Sequence, residues 1–191
     1  MATVTSIRES LNAIAERMDK QHDILFLFLT SHGTKEHELS LAQNGMNLRN
    51  LSPGELQRLL RESAIRWKVI VVSACYSGGF IDPLKDDRTI VISAARHDRR
   101  SFGCADENDF TYFGKAFFQQ ALPGSASFVE AFEKASALVA QRENQEAKPG
   151  KEGSDAVHSE PQIHHAALVD GHLANWFAQL KRTNRIGAAP Q

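Results

Sequence analysis

The sequence predicts an α/β fold built on a mostly parallel central sheet, carried in a single domain spanning residues 1–191. Three observations predict it. Asp23–Thr30 reads Asp-Ile-Leu-Phe-Leu-Phe-Leu-Thr and Lys68–Ala74 reads Lys-Val-Ile-Val-Val-Ser-Ala. Continuous apolarity without alternation marks strands buried on both faces, as in a parallel sheet. Segments with helical spacing separate these runs. A histidine and a cysteine, His32 and Cys75, fall just past the ends of the two runs, where open α/β sheets collect their chemistry.

Taken in order, the chain opens on a helix. Ser6-Ile7-Arg8-Glu9 reads as its capping box, and Ile7, Leu11, Ile14 and Met18 keep helical spacing. The first strand comes next and ends in a turn at Ser31-His32-Gly33. Glu38–Ala42 alternates, Asn44-Gly45 signals a type I′ hairpin, and Met46–Leu48 is its expected return strand. Ser52-Pro53-Gly54-Glu55 starts a second helix, with the cap at Ser52, proline at the first helical position and Leu56, Leu59 and Leu60 on its apolar face. After the second strand comes Cys75-Tyr76-Ser77-Gly78-Gly79, then a third strand at Thr89–Ala94. Thr111–Leu122 and Ser125–Arg142 read as helices parted by Pro123-Gly124. The polar stretch 143–161 is expected to be a mobile loop. A strand near Ile163–Val169 and a helix near Leu173–Lys181 close the chain.

Composition narrows the function. Net charge is −1, so no overall basic excess holds a nucleic acid. The longest strongly apolar runs, Ile24–Leu29 and Val69–Val72, fall far short of the roughly 20 residues that cross a bilayer. Arg8, Glu9, Glu16 and Arg17 interrupt the first segment as a signal peptide. Two cysteines, Cys75 and Cys104, cannot frame a disulfide scaffold and read as free thiols. The later histidines, His97, His158, His164, His165 and His172, lack ligand spacing, so no metal or other cofactor is expected. Arg96, Arg99 and Arg100 read as a solvated basic loop, with contact to an anion or an acidic substrate as the second reading. Ser77 is no nucleophile elbow, because no glycine stands two residues before it.

The His and Cys carry the chemistry. A thiol becomes a useful nucleophile when a base or a positive field generates thiolate. His32 suits the base and, later, the acid that protonates a leaving amine. Cys75 ends a rigid strand before Ser77-Gly78-Gly79, where a helix N-terminus would favour the thiolate. Gly33 lets the backbone approach a carbonyl, making the N–H groups of Gly33 and Cys75 candidate oxyanion donors. A lone strand-end cysteine is usually core and a lone His-Gly usually a turn. The matching placement of both points to a site.

These motifs resemble a known family. Thr30-Ser31-His32-Gly33 and Ser73-Ala74-Cys75-Tyr76-Ser77-Gly78, each after an apolar strand, are similar to the His-Gly and Cys motifs of the legumain family of cysteine peptidases. Ser93-Ala94-Ala95 through Arg100-Ser101-Phe102-Gly103-Cys104 to Thr111-Tyr112-Phe113-Gly114 resembles a third block of that family. The resemblance runs from about residue 5 to 142, and bacterial members would be the nearest relatives. It implies the caspase-like (caspase-hemoglobinase) three-layer fold and a cysteine endopeptidase acting on peptide or protein substrates. By resemblance, His32 and Cys75 form the dyad, and Gly33 and Cys75 amides the oxyanion hole. Ser101 and Phe102 would lie along the strand that receives substrate backbone.

Two departures qualify the resemblance. The family fold begins with a strand–helix–strand unit that carries a partner for the catalytic His and an Arg of the specificity pocket. No counterpart is present, so the expectation is the C-terminal part of a longer protein, with an uncovered sheet edge open to homodimer contacts. Acidic pocket positions of the family are here Tyr76 and Lys115, which turns the expected preference away from strict asparagine. Two other readings stand beside the peptidase: a catalytically silent interaction domain, and a transamidase or ligase using the same dyad.

Overall fold

A computed structural model describes residues 2–41, 48–103, 110–146 and 158–186, with side chains as far as residue 180. The chain runs α1 (Val4–Ala15), β1 (Ile24–Thr30), α2 (Pro53–Ser63), β2 (Trp67–Ser73), a 3₁₀ turn (Ser77–Phe80) and α3 (Ile81–Leu84). It continues with β3 (Thr89–Ser93), α4 (Tyr112–Gly114), α5 (Phe128–Glu146), β4 (Gln162–His164) and α6 (Ala167–Ile186). α4 passes directly into a π-helical stretch, Lys115–Ala121, and a 3₁₀ turn, Leu122–Gly124.

The sheet has the order β1-β2-β3-β4. β1, β2 and β3 are parallel, and β4 pairs antiparallel to β3. Every residue of β2 and β3 is buried, which is what their unbroken apolarity requires. Alternate side chains of β2 serve two layers. Val69 and Val71 face Phe113, Phe117, Ala131, Ala135 and Leu173. Ile70 and Val72 face Leu11, Leu56, Leu59 and Phe80. Burying each of these aliphatic side chains contributes about 1.5–3 kcal/mol. The result is a three-layer α/β fold with a mostly parallel sheet.

Several expectations are corrected at their edges. α1 is capped by Thr3, whose hydroxyl accepts from the Ser6 N–H at 3.0 Å while Ser6 Oγ accepts from the Thr3 N–H at 2.8 Å. Ser6 is therefore the third helical residue, not the cap, because Thr3 offers the same hydroxyl one turn earlier. β1 is not buried on both faces. It is the outer strand, and Phe26 and Phe28 are 42% and 40% exposed. The expected hairpin after it appears as single bridges from Leu39 to Gly33 and to Leu51, and the Asn44-Gly45 turn lies outside the described residues. Ser52 does cap α2, accepting from the Glu55 N–H at 3.2 Å.

The third helical segment widens into π turns, and α5 extends four residues past Arg142 into the expected loop. There Glu143 is buried and accepts from the Ser159 N–H at 3.3 and 3.2 Å. Residues 147–157 lie outside the described residues. β4 is shorter than expected, and α6 begins earlier, at Ala167.

Candidate active site

β1 and β2 end together. Thr30 stands opposite Ser73 as the last pair of the ladder, and the Ser31 N–H reaches the Ser73 carbonyl at 3.4 Å. Two residues beyond that pair, one chain carries His32 and the other Cys75. The backbones close on each other at Gly33. A Cβ there would stand 1.9 Å from the Cys75 carbonyl oxygen and 3.2 Å from its nitrogen. Only a glycine allows that approach.

The His32 loop is held from behind. The Ser40 N–H donates to the His32 carbonyl at 2.9 Å, and the Thr34 N–H to the Glu38 carbonyl at 3.0 Å. These bonds flank the Gly33–Leu39 bridge and leave the Gly33 N–H outside that ladder. Leu39 and Leu51, bonded reciprocally at 2.9 Å, anchor the loop in the core. The His32 side chain itself is exposed.

Cys75 carries a half-buried, reduced thiol. Its Sγ accepts from the Ser101 N–H at 3.4 Å and lies 3.5 Å from the Ser101 carbonyl. Beside it, Ser73 Oγ and Thr111 Oγ1 share a hydrogen bond of 3.0 Å. The chain turns sharply after the thiol, because Tyr76 adopts φ 57°, in the left-handed region. Three bonds hold this turn. The Tyr76 N–H donates to the Arg99 carbonyl at 2.7 Å, and the Gly79 N–H to the Tyr76 carbonyl at 3.2 Å. His37 Nδ1 donates to that same carbonyl at 3.2 Å, so Nδ1 carries the proton. A Cβ on Gly79 would strike the His37 ring at 2.2 Å.

Helical backbone begins after Cys75 as expected: the 3₁₀ turn Ser77–Phe80 passes directly into α3, Ile81–Leu84. The pKa of the exposed Arg100 guanidinium is raised, chiefly by its interaction with the Tyr76 phenol and less by Cys75.

The remaining expected residues divide. Ser101 is buried against the sulfur and Phe102 is 39% exposed, its ring 6.5 Å from that of Tyr112. Both lie on a loop; no strand ladder forms there among the described residues. Lys115 is exposed and lines a groove of about 280 Å³ with Tyr112, Arg142 and Glu146, between the π-helical stretch and α5. Cys104 lies outside the described residues. Sequence reasoning misses His37, which bonds the Tyr76 carbonyl next to the nucleophile, because irregular loops that cross back over a strand end leave no pattern in the chain. Among the described residues no group of three or more His, Cys, Asp or Glu could hold a metal ion.

Comparison with known proteins gives two findings. The model of the Peptidase C13 family matches residues 9–161. Among solved structures, caspase-1 from Spodoptera frugiperda is similar with a TM-score of 0.56 at 14% identity, covering 86% of this chain and 68% of that one. At that identity the likeness is one of fold, and the fold is caspase-like. No curated protein sequence matches.

Proposed function

The chain belongs to the Peptidase C13 (legumain) family, and from that premise we propose a cysteine endopeptidase in which Cys75 is the nucleophile and His32 the base. His32 takes the thiol proton as Sγ bonds to the scissile carbonyl carbon. The N–H groups of Gly33 and Cys75 receive the oxyanion. The C–N bond then breaks, and the amine leaves with the proton from His32. Water, deprotonated by His32, attacks the thioester, and the acid product leaves with Cys75 restored to a thiol.

The observation that carries this reading is the backbone contact of Gly33 with Cys75. It brings the His-Gly and Cys motifs to one sheet end. Ser101, against the sulfur, and Phe102 next to it in the chain are suited to line the substrate path, and Tyr76 to meet the side chain before the scissile bond. Lys115 stands farther round, on the groove beside α5.

The test is hydrolysis of a fluorogenic peptide library with Cys75→Ala and His32→Ala controls. Each substitution is expected to remove turnover by about 10³-fold or more. Turnover that persists in Cys75→Ala would end the proposal.

A second reading, an interaction domain, draws on the edge of β1, unpaired among the described residues, with its exposed Phe26 and Phe28. Its occupant is a second copy of the chain. Antiparallel self-pairing centred on Leu27 sets Phe26 opposite Phe28 and Leu25 opposite Leu29, a self-complementary register.

A further inference from the structure

The hairpin that carries His32 meets the nucleophile's segment at a second point. Gly33, at the base of that hairpin, lies against the Cys75 backbone. His37, farther along it, returns to the turn just after Cys75, where its Nδ1–H donates to the Tyr76 carbonyl at 3.2 Å. The same carbonyl accepts from the Gly79 N–H at 3.2 Å, so both of its lone pairs are used. Gly79 also makes room for the ring, since a Cβ there would stand 2.2 Å from His37 Cγ. The His97 ring stands edge-on to it at 6.3 Å between centroids. Both residues of the contact are non-glycine residues in the left-handed region, His37 at φ 65° and Tyr76 at φ 57°. Such backbone persists only where the surroundings hold it. The Thr34 carbonyl accepts from the His37 N–H at 3.0 Å, and Thr34 Oγ1 accepts from the Glu38 N–H at 3.3 Å.

Two points of attachment do what one cannot. About Gly33 alone the hairpin is free to pivot, and the exposed His32 ring would swing with it. A second bond at Tyr76 removes that rotation. Misplacing a reacting group by about 1 Å costs a catalytic pair up to roughly a hundredfold in rate. We propose that His37 is a positioning residue: its bond to the Tyr76 carbonyl fixes the His32 hairpin against the turn that carries Cys75. The proposal rests on His32 and Cys75 acting as a dyad.

The experiment reads the thiol rather than peptide turnover. Cys75 alkylation by limiting iodoacetamide at about pH 6.5, where a neighbouring imidazolium favours thiolate, is followed by peptide mass mapping. The unmodified chain is compared with H32A, H37G, H37N, G79A and the double variant H32A/H37G. Glycine fits the backbone at residue 37 but carries no donor. Asparagine tolerates the same φ and carries an amide N–H as many bonds from the backbone as Nδ1. H32A is expected to slow the reaction roughly tenfold. H37G should slow it roughly threefold or more, H37N should stay within about twofold of the unmodified chain, and the double variant should be no slower than H32A. G79A, which displaces the ring without changing residue 37, should match H37G and carries the comparison if H37G does not fold. Heteronuclear NMR should show the neutral His37 ring protonated at Nδ1. A ring protonated at Nε2, H37G as fast as the unmodified chain, H37N as slow as H37G, or further slowing by H37G in the H32A background would overturn the proposal. H32A as fast as the unmodified chain is a separate failure, which ends the dyad reading and the proposal with it.

Discussion

Gly33→Ala removes nothing and adds one methyl group, which makes it an informative substitution. The new carbon would sit 1.9 Å from the Cys75 carbonyl oxygen, so the two strand ends must part. The expected cost is roughly 2–4 kcal/mol, read by urea denaturation, with peptide turnover falling far more than stability accounts for. Full turnover with unchanged stability would show that the close approach is dispensable. Side-chain preference belongs to the same scale. Tyr76 and Arg100 lie on the two turns that meet at the thiol, where the Arg99 carbonyl accepts from the Tyr76 N–H and the Ser101 N–H donates to Cys75 Sγ. A pocket there disfavours a basic side chain before the scissile bond and suits an acidic or bulky one. A fluorogenic library should show this order, and clear preference for Arg or Lys would refute it.

Elements hold these residues in place, and two of them lend themselves to measurement. The loop 96–103 is tied to the segment after residue 157 by the Arg96–Asp98–Glu160 network and by the Arg96 N–H, which donates to the Ser159 carbonyl at 2.8 Å. The Arg96 guanidinium lowers the Asp98 carboxyl from 3.8 to about 2. A carboxyl depressed by folding contributes stability that is complete above its unfolded value and is lost as pH falls through its folded value. Between pH 3.8 and about 2 the loop should therefore loosen. Faster exchange of the Tyr76 amide in that window would show it, and unchanged exchange would count against it. α2 offers a simpler case. Ser52→Ala removes the hydroxyl that accepts from Glu55 N–H and is expected to cost about 1 kcal/mol in thermal or urea unfolding.

At the scale of the whole molecule, the sheet is unevenly covered. β2 and β3 are sealed by helices on both faces, whereas β1 leaves one edge unpaired among the described residues and two phenylalanines about 40% exposed. Phe26 and Phe28 pack against Phe118 at 6.2 and 4.7 Å between ring centroids, so one side of each ring is already used. An unpaired, apolar edge strand is a template for further pairing. The chain is expected to associate as its concentration rises, measured by sedimentation velocity. A single monomeric species across the accessible concentrations would refute the self-pairing.

Much of this was legible in the residues themselves. The unbroken runs at Asp23–Thr30 and Lys68–Ala74 determined strands, and Ser52-Pro53 determined where α2 begins, because those signals are local: burial period, a capping hydroxyl, a fixed φ. The order of the motifs likewise determined the family and the caspase-like fold. Other features were decided by tertiary structure. Apolarity alone cannot tell a central strand from an outer one, so β1 read as buried although its outer edge has no neighbour among the described residues. The Ser6 box gave way to Thr3 because two hydroxyls three residues apart compete for one helix start. His37 and the Arg99–Ser101 backbone meet the Cys75 turn only because the Tyr76 backbone turns left-handed there and a later loop returns across it. Local chemistry writes strands, caps and motifs into a sequence. Which charges meet a nucleophile depends on where distant loops cross, and that is set by packing.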